Sequence, residues 1–177
     1  MDFHQLDETI VARRWAVSSA IVIKANPENV WKTISEQAHL LKTHPFVKEH
    51  KVLKWPGLDA QDYLTYNNGY TLYRTFRRWE EGQGYHLDAS LGKNKTSRVI
   101  WKISSEKPGR SILSITILPF QVDHLSKIVS WIPFYFKVYP ILKTYLESVL
   151  KGFKFYIETG KKVEKNQFGA HQNFSPE

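Results

Sequence analysis

The stretch 21–31, IVIKANPENVW, decides the fold of this chain because a strand pattern passes directly into the start of a helix. Its first half is rich in valine and isoleucine, which favour extended structure. Asn26 is a favourable N-cap, Pro27 suits the first helical position, and Glu28 complements the positive end of the helix dipole. We therefore predict a strand over 15–24, then a helix, then a second short helix over 36–42.

Further strand-like runs follow this opening, and strong turn signals such as Pro56-Gly57, Asn68-Gly69 and Pro108-Gly109 separate them. Short turns without intervening helices predict an antiparallel meander rather than a parallel sheet. The predicted strands are 46–54, 62–67, 70–80, 85–91, 96–105 and 111–119.

The segment 141–159 has the pattern of a long amphipathic helix that ends before Gly160. Charged residues occupy the face opposite an apolar stripe. The stripe consists of Leu142, Leu146, Val149, Phe153 and Tyr156. We predict an α+β domain over 1–160, in which a curved antiparallel sheet of about seven strands wraps around this helix and leaves a cavity. Residues 161–177 are polar, and we predict a disordered tail.

Composition narrows the classes of function. The 177 residues are 42% hydrophobic and contain no cysteine, which excludes disulfides, thiol catalysis and cysteine-based zinc sites. The net charge is +8, but the basic residues are dispersed along the strands without a nucleic-acid motif, so we predict no nucleic-acid partner. The N-terminus lacks the apolar core of a signal peptide, and we expect a cytoplasmic protein.

The chain resembles the START-like superfamily of polyketide cyclases/dehydrases and lipid-transfer proteins over about residues 15–160. The resemblance rests on the helix-grip order of elements and on the motifs IVIKANPENVWKTIS, THPFV, the WPG turn, RTFRRWEEGQGYHL and YPILKTYLESVLKGFKFYIE. It implies a helix-grip fold that binds a hydrophobic or amphipathic small molecule, without a cofactor. The apolar segment 120–140 departs from the simplest members, and we predict that it is a lid that gates the cavity.

Strand alternation predicts which side chains face the cavity. In 70–80 the inner positions run from Tyr70 to Arg78 and include Arg74. An arginine among apolar neighbours requires a carboxylate, a water cluster or an anionic ligand group. We predict that Arg74 orients an anionic or carbonyl-bearing ligand; the alternative is a bulge that turns Arg74 to solvent.

The full set of predicted ligand-binding residues combines inner strand positions, the lid and the last helix. Gly152, on the apolar side of that helix, makes room either for a ligand or for the close approach of a neighbouring strand. The set is Tyr63, Leu72, Arg74, Phe76, Arg78, Tyr85, Trp101, Trp131, Phe134, Tyr145, Val149 and Gly152.

The sequence contains no motif for a catalytic or metal site. Its seven histidines lack the spacing of metal ligands, and Ser18 and Ser19 lack the context of a nucleophile elbow. We therefore predict a carrier or sensor rather than an enzyme. A cyclase, aromatase or dehydrase acting on a polyketide-like ligand is one alternative. Another is a peripheral lipid-transfer module in which aromatic residues of 131–136 make transient membrane contact.

Overall fold

Seven antiparallel strands form one sheet in the computed structural model, which describes residues 15–92, 95–120 and 132–177. Each strand from the second to the sixth pairs with the strand that follows it, and the first pairs with the seventh, which gives the order β1-β7-β6-β5-β4-β3-β2. The strands are β1 (Val17–Ile23), β2 (Val47–Lys54), β3 (Gln61–Tyr66), β4 (Thr71–Glu80), β5 (Gly84–Ser90), β6 (Thr96–Lys107) and β7 (Arg110–Leu118).

Three α-helices lie within the described ranges: α1 (Pro27–Ile34), α2 (Leu40–Thr43) and α3 (Tyr139–Thr159), the last preceded by a π-helical turn (Phe134–Val138). The long helix α3 lies along β1. Two lysines of α3 form hydrogen bonds to the backbone of β1: Lys143 Nζ donates to the carbonyl oxygen of Ser18 (2.9 Å) and Lys154 Nζ to that of Val22 (2.6 Å). This arrangement confirms the predicted α+β helix-grip fold. No helix within the described ranges is long and apolar enough to cross a membrane.

The second short helix is shorter than predicted. Ala38, which lies within the helix predicted over 36–42, has a φ of 53°, in the left-handed region. A right-handed helix cannot include such a residue, so α2 begins at Leu40.

One end of the sheet, where the β4–β5 and β6–β7 turns lie, is filled with aromatic side chains; we call it the packed end. Trp79 stacks on Tyr85 with ring centroids 5.5 Å apart, and its edge meets Trp31 at 5.3 Å. Trp55 meets Phe76 edge-on at 5.1 Å. Such offset and edge-to-face pairs add to the stabilisation that burial alone provides.

Gly152 explains how closely α3 approaches the chain after α2. A Cβ at this position would overlap the carbonyl oxygen of Thr43 and lie 3.3 Å from Cδ of Pro45. The close neighbour is therefore the end of α2 together with Pro45, and not the strand that was one predicted alternative.

Residues 161–177, predicted to be a disordered tail, instead return to the sheet. The amide of Val163 donates to the carbonyl oxygen of Lys42 (2.9 Å), and the amide of Asn68 donates to that of Phe174 (3.2 Å). Nε2 of His171 lies 3.1 Å from the carbonyl oxygen of Ile141. A polar composition predicted disorder, but these distant backbone partners and the buried Val163 hold the segment in place.

Candidate ligand-binding site

A cavity of about 120 Å³ separates the sheet from the first half of α3. It lies at the end of the sheet where the β3–β4 and β5–β6 turns lie, which we call the cavity end. An apolar cavity of similar size, roughly 150 Å³, stays dry and accepts a benzene-sized molecule. The lining is mainly aliphatic, and its innermost residues are Leu64, Leu87, Ala89, Ile115, Leu146 and Val149.

Five of the predicted ligand-binding residues line this cavity: Leu72, Arg74, Trp101, Tyr145 and Val149. Phe76 and Tyr85 face inward, as strand alternation predicts, but lie at the packed end and do not line the cavity. The Tyr85 hydroxyl instead lies 3.5 Å from the carbonyl oxygen of Ile34.

Arg78 faces away from the cavity because of a β-bulge. The β4–β5 register shifts between Phe76, opposite Leu87, and Arg78, opposite His86. The extra residue reverses the alternation, and Arg78 Nε donates to Glu80 Oε1 at 2.9 Å. A bulge was the alternative considered for Arg74, but it occurs further along the strand and leaves Arg74 inside.

Two other tyrosines lie outside the cavity. Tyr63 contacts Tyr73, whose side chain is largely exposed, with ring centroids 5.7 Å apart, and Lys51 lies over its ring. These contacts lie on the outer face, because the neighbours of Tyr63 along β3, Asp62 and Leu64, are the buried ones. Tyr70, also predicted to face inward, is exposed.

The predicted lid falls only partly within the described residues. Trp131 and the rest of 121–131 lie outside them. Phe120 lines the cavity. Phe134 is buried but lies outside the cavity lining, where it stacks on Trp15 with ring centroids 4.8 Å apart.

Arg74 reaches the cavity wall and pairs with a buried carboxylate. Its Nε donates to Asp62 Oδ1 and its Nη2 to Asp62 Oδ2, both at 2.6 Å, which is the bidentate geometry of a strong ion pair. Burial opposes the charge of Asp62, but Arg74 and the nearby His50 outweigh that effect and lower the pKa of the carboxyl. Of the three partners predicted for Arg74, which were a carboxylate, a water cluster and an anionic ligand group, the structure shows the carboxylate, that of Asp62.

A polar corner of the cavity, formed by His44, Tyr66 and Tyr145, contains two residues that sequence analysis missed. His44 Nε2 lies 3.1 Å from the Tyr145 hydroxyl, which lies 2.9 Å from the Tyr66 hydroxyl. Burial, with the nearby positive charge of Arg74, lowers the pKa of His44 to about 3. Burial raises the pKa of Tyr66 to about 12 and that of Tyr145 well above its ordinary value.

Two more buried histidines surround the ion pair. His50 Nε2 lies 3.1 Å from Asp62 Oδ2, and the His39 ring meets His50 edge-on at 5.6 Å. Burial, together with Arg74, lowers the pKa of both histidines. Among the residues described here, no three histidine and carboxylate side chains are grouped as metal ligands would be. Strand alternation on β2 and β3 could have placed His50 and Asp62 inside, but no comparable pattern points to His39, which precedes α2.

Comparison with known proteins supports the fold. The sequence matches no protein-family model and no curated protein. The structure is similar to DynU16, a protein in the dynemicin biosynthetic locus, with a TM-score of 0.61 and 14% identity over 85% of this chain. The chain spans about half of DynU16, 51% of its length.

Two other solved structures cover more of their own length. CalU16 from Micromonospora echinospora matches with a TM-score of 0.59 and 13% identity over 82% of this chain and 77% of its own. The Aha1 dimer from Colwellia psychrerythraea matches with a TM-score of 0.60 and 12% identity over 83% and 98%. Identities this low show a shared fold, and one fold serves many functions.

Proposed function

We propose that this protein is a carrier or sensor that binds a hydrophobic or amphipathic small molecule in its cavity. The observation that carries the proposal is a mainly aliphatic cavity with polar groups gathered at one corner. This is the usual composition of a small-molecule site, in which apolar walls supply affinity and a few polar groups orient the ligand. The presence of DynU16 in a biosynthetic locus is consistent with a small-molecule ligand.

The chemistry of the corner favours binding over catalysis. A general acid or base works best with a pKa near the working pH. The pKa of His44 is lowered to about 3 and that of Tyr66 is raised to about 12, so neither exchanges protons readily near neutrality. The charge of Arg74 is balanced by Asp62. The cyclase or dehydrase alternative therefore has less support.

Occluding the cavity tests the proposal. Ala89 is buried in the cavity wall on β5, so Ala89→Leu projects a larger side chain into the cavity. We expect this variant to bind cumene (isopropylbenzene) at least tenfold more weakly than the native protein, measured by titration of methyl NMR shifts. Ala20→Leu makes the same change at an exposed position on β1 and should bind cumene normally.

The two variants give a clear decision. If native protein fails to bind cumene, or if Ala89→Leu binds it as tightly as Ala20→Leu does, the cavity is not the ligand site. If native protein and Ala20→Leu bind cumene and Ala89→Leu does not, native mass spectrometry of freshly purified protein is the next step, because it identifies any molecule that the cavity retains.

We also propose transient membrane contact, because apolar side chains are exposed just before α3. Phe136 is 77% exposed, and Ile132 and Tyr135 are about half exposed, beside the exposed Lys137. Aromatic side chains next to lysine are typical of membrane-interface segments. Flotation with phosphatidylcholine/phosphatidylglycerol vesicles should decrease for Phe136→Ala and stay unchanged for Leu58→Ala, which alters an exposed leucine elsewhere. Equal flotation of both variants would remove this proposal.

A further inference from the structure

The polar corner has a defined hydrogen-bond direction that starts at the backbone. The amide of Phe46 donates to Nδ1 of His44 at 3.1 Å. A backbone amide can only donate, so this Nδ1 is an acceptor and carries no proton. A buried neutral imidazole then carries its proton on Nε2, the atom that faces the Tyr145 hydroxyl.

The three side chains of the polar corner carry three polar protons, but only two hydrogen bonds join them. The Nε2 proton of His44 is donated to Tyr145, and a single contact of 2.9 Å joins the hydroxyls of Tyr145 and Tyr66. If Tyr145 donates to Tyr66, the Tyr66 proton remains; if Tyr66 donates, the Tyr145 proton remains. In both cases one phenolic proton is left over, and both tyrosines line the cavity.

Within the described ranges, these two hydroxyls make no other hydrogen bond. Phe174 packs against both tyrosine rings, with its ring centroid 4.7 Å from that of Tyr66 and 4.6 Å from that of Tyr145. A buried donor without an acceptor is unfavourable, so an acceptor atom inside the cavity would be bound there.

The surrounding charges favour an uncharged acceptor. Arg74, the buried cation on the cavity wall, already has Asp62 as its bidentate counter-charge. Lys95, the other lysine or arginine of the lining among the described residues, is exposed. A carboxylate at the tyrosine pair would therefore lose its hydration without gaining a free counter-charge.

We propose that the ligand presents a neutral carbonyl oxygen, that of a ketone or ester, to the spare phenolic proton of the Tyr66–Tyr145 pair. This inference rests on the proposed binding function and adds the chemical class of the ligand. It replaces Arg74 with the tyrosine pair as the group that orients the ligand.

Two probes of similar shape test the inference: acetophenone, which has a carbonyl, and cumene, which has none. The measured quantity is the ratio of their dissociation constants in native protein and in the double variant Tyr66→Phe/Tyr145→Phe. Loss of a neutral hydrogen bond should reduce the preference for acetophenone by about three- to tenfold while cumene binding persists. Tyr85→Phe removes a buried phenol at the packed end and should leave the ratio unchanged.

The single variant Tyr66→Phe provides a sharper check. In this variant His44 still donates to Tyr145, so the proton of Tyr145 becomes the free one. Most of the acetophenone preference should therefore remain. A spectroscopic measurement needs no variant at all: the carbonyl ¹³C signal of labelled acetophenone should move downfield on binding native protein, relative to its position in hexane.

The outcomes separate the two proposals. If cumene binds but the acetophenone preference is the same in native protein and the double variant, or the bound carbonyl signal matches that in hexane, the carbonyl inference fails and the cavity function stands. Benzoate binding native protein as tightly as acetophenone would also overturn the neutral-acceptor inference. If neither cumene nor acetophenone binds native protein, the proposed function itself fails.

Discussion

The packed end and the cavity end of this sheet are built from the same antiparallel strands, but different side chains lie between the sheet and the helices at each end. At the packed end, tryptophan, tyrosine and phenylalanine rings fill the space between the sheet and the helices. At the cavity end, mainly leucine, isoleucine and valine line a space of about 120 Å³. Aromatic rings bury much larger areas than aliphatic side chains. The size of the side chains on the inner face of the sheet therefore decides which end is fully packed and which end can hold a ligand.

The buried ion pair on the cavity wall should be the most sensitive element. Asp62→Ala would leave the buried Arg74 without its counter-charge, and we expect the free energy of unfolding to fall by about 3–5 kcal/mol, measured by urea denaturation. Asp88→Ala is the matched control, because Asp88 pairs with the partly exposed Arg77 and Arg98 and should cost about 1 kcal/mol or less. Equal losses would mean that burial does not distinguish the two pairs.

A pair of leucine truncations compares the two regions directly. Leu113 is fully buried away from the cavity, whereas Leu87, buried almost as deeply, lines it. Leu113→Ala creates a new void and should cost about 4 kcal/mol. Leu87→Ala enlarges an existing space, loses fewer contacts and should cost about 2–3 kcal/mol, measured by the same denaturation experiment. A larger loss for Leu87→Ala would contradict the assignment of a pre-existing cavity beside it.

The close approach at Gly152 gives a smaller effect. In Gly152→Ala the new Cβ would meet the backbone oxygen of Thr43, which cannot move away as a flexible side chain would. Overpacking costs about 1–3 kcal/mol and the gain in helix propensity returns about 1, so we expect a net loss of up to about 2 kcal/mol. The thermal unfolding midpoint measures this loss. Thr144→Ala, at an exposed position of α3, is the control and should change that midpoint little. A stabilised Gly152→Ala would show that the helix is not held so tightly.

The buried histidines predict a dependence of stability on pH. The pKa of His44 is about 3 in the folded state and about 6.5 when unfolded, so the unfolded chain binds more protons between these values. Stability should therefore decrease as the pH falls below 6.5, by up to about 1.4 kcal/mol per pH unit for each such histidine. His39 and His50 act in the same direction. The lowered pKa of Asp62 adds to the loss below about pH 3.9.

Replacing one histidine isolates its share of this dependence. Between pH 6 and 4, His44→Gln should reduce the slope of the unfolding free energy against pH by about 1.4 kcal/mol per pH unit, which corresponds to one proton. Urea denaturation at each pH measures the slope. An unchanged slope in this variant would show that His44 is already protonated in the folded protein.

Local pattern predicted the elements and their faces well. Strand alternation correctly placed Leu72 and Arg74 inside, and the turn signals separated the strands of the observed meander. The same alternation failed at Arg78, because a bulge depends on the pairing of two strands and has no mark in the sequence of one. It also misplaced Tyr63, because periodicity alone does not say which of the two faces is covered.

Sequence by itself determined the order of strands and helices, the apolar stripe of the last helix, and the need of Arg74 for a partner. These properties depend on residues close together in the chain. Tertiary structure alone decided that Asp62 is the partner, that Tyr66 and Tyr145 meet His44, and that 161–177 return to the sheet. Each of these contacts joins residues that are distant in sequence, and their geometry exists only once the sheet has closed around the helix.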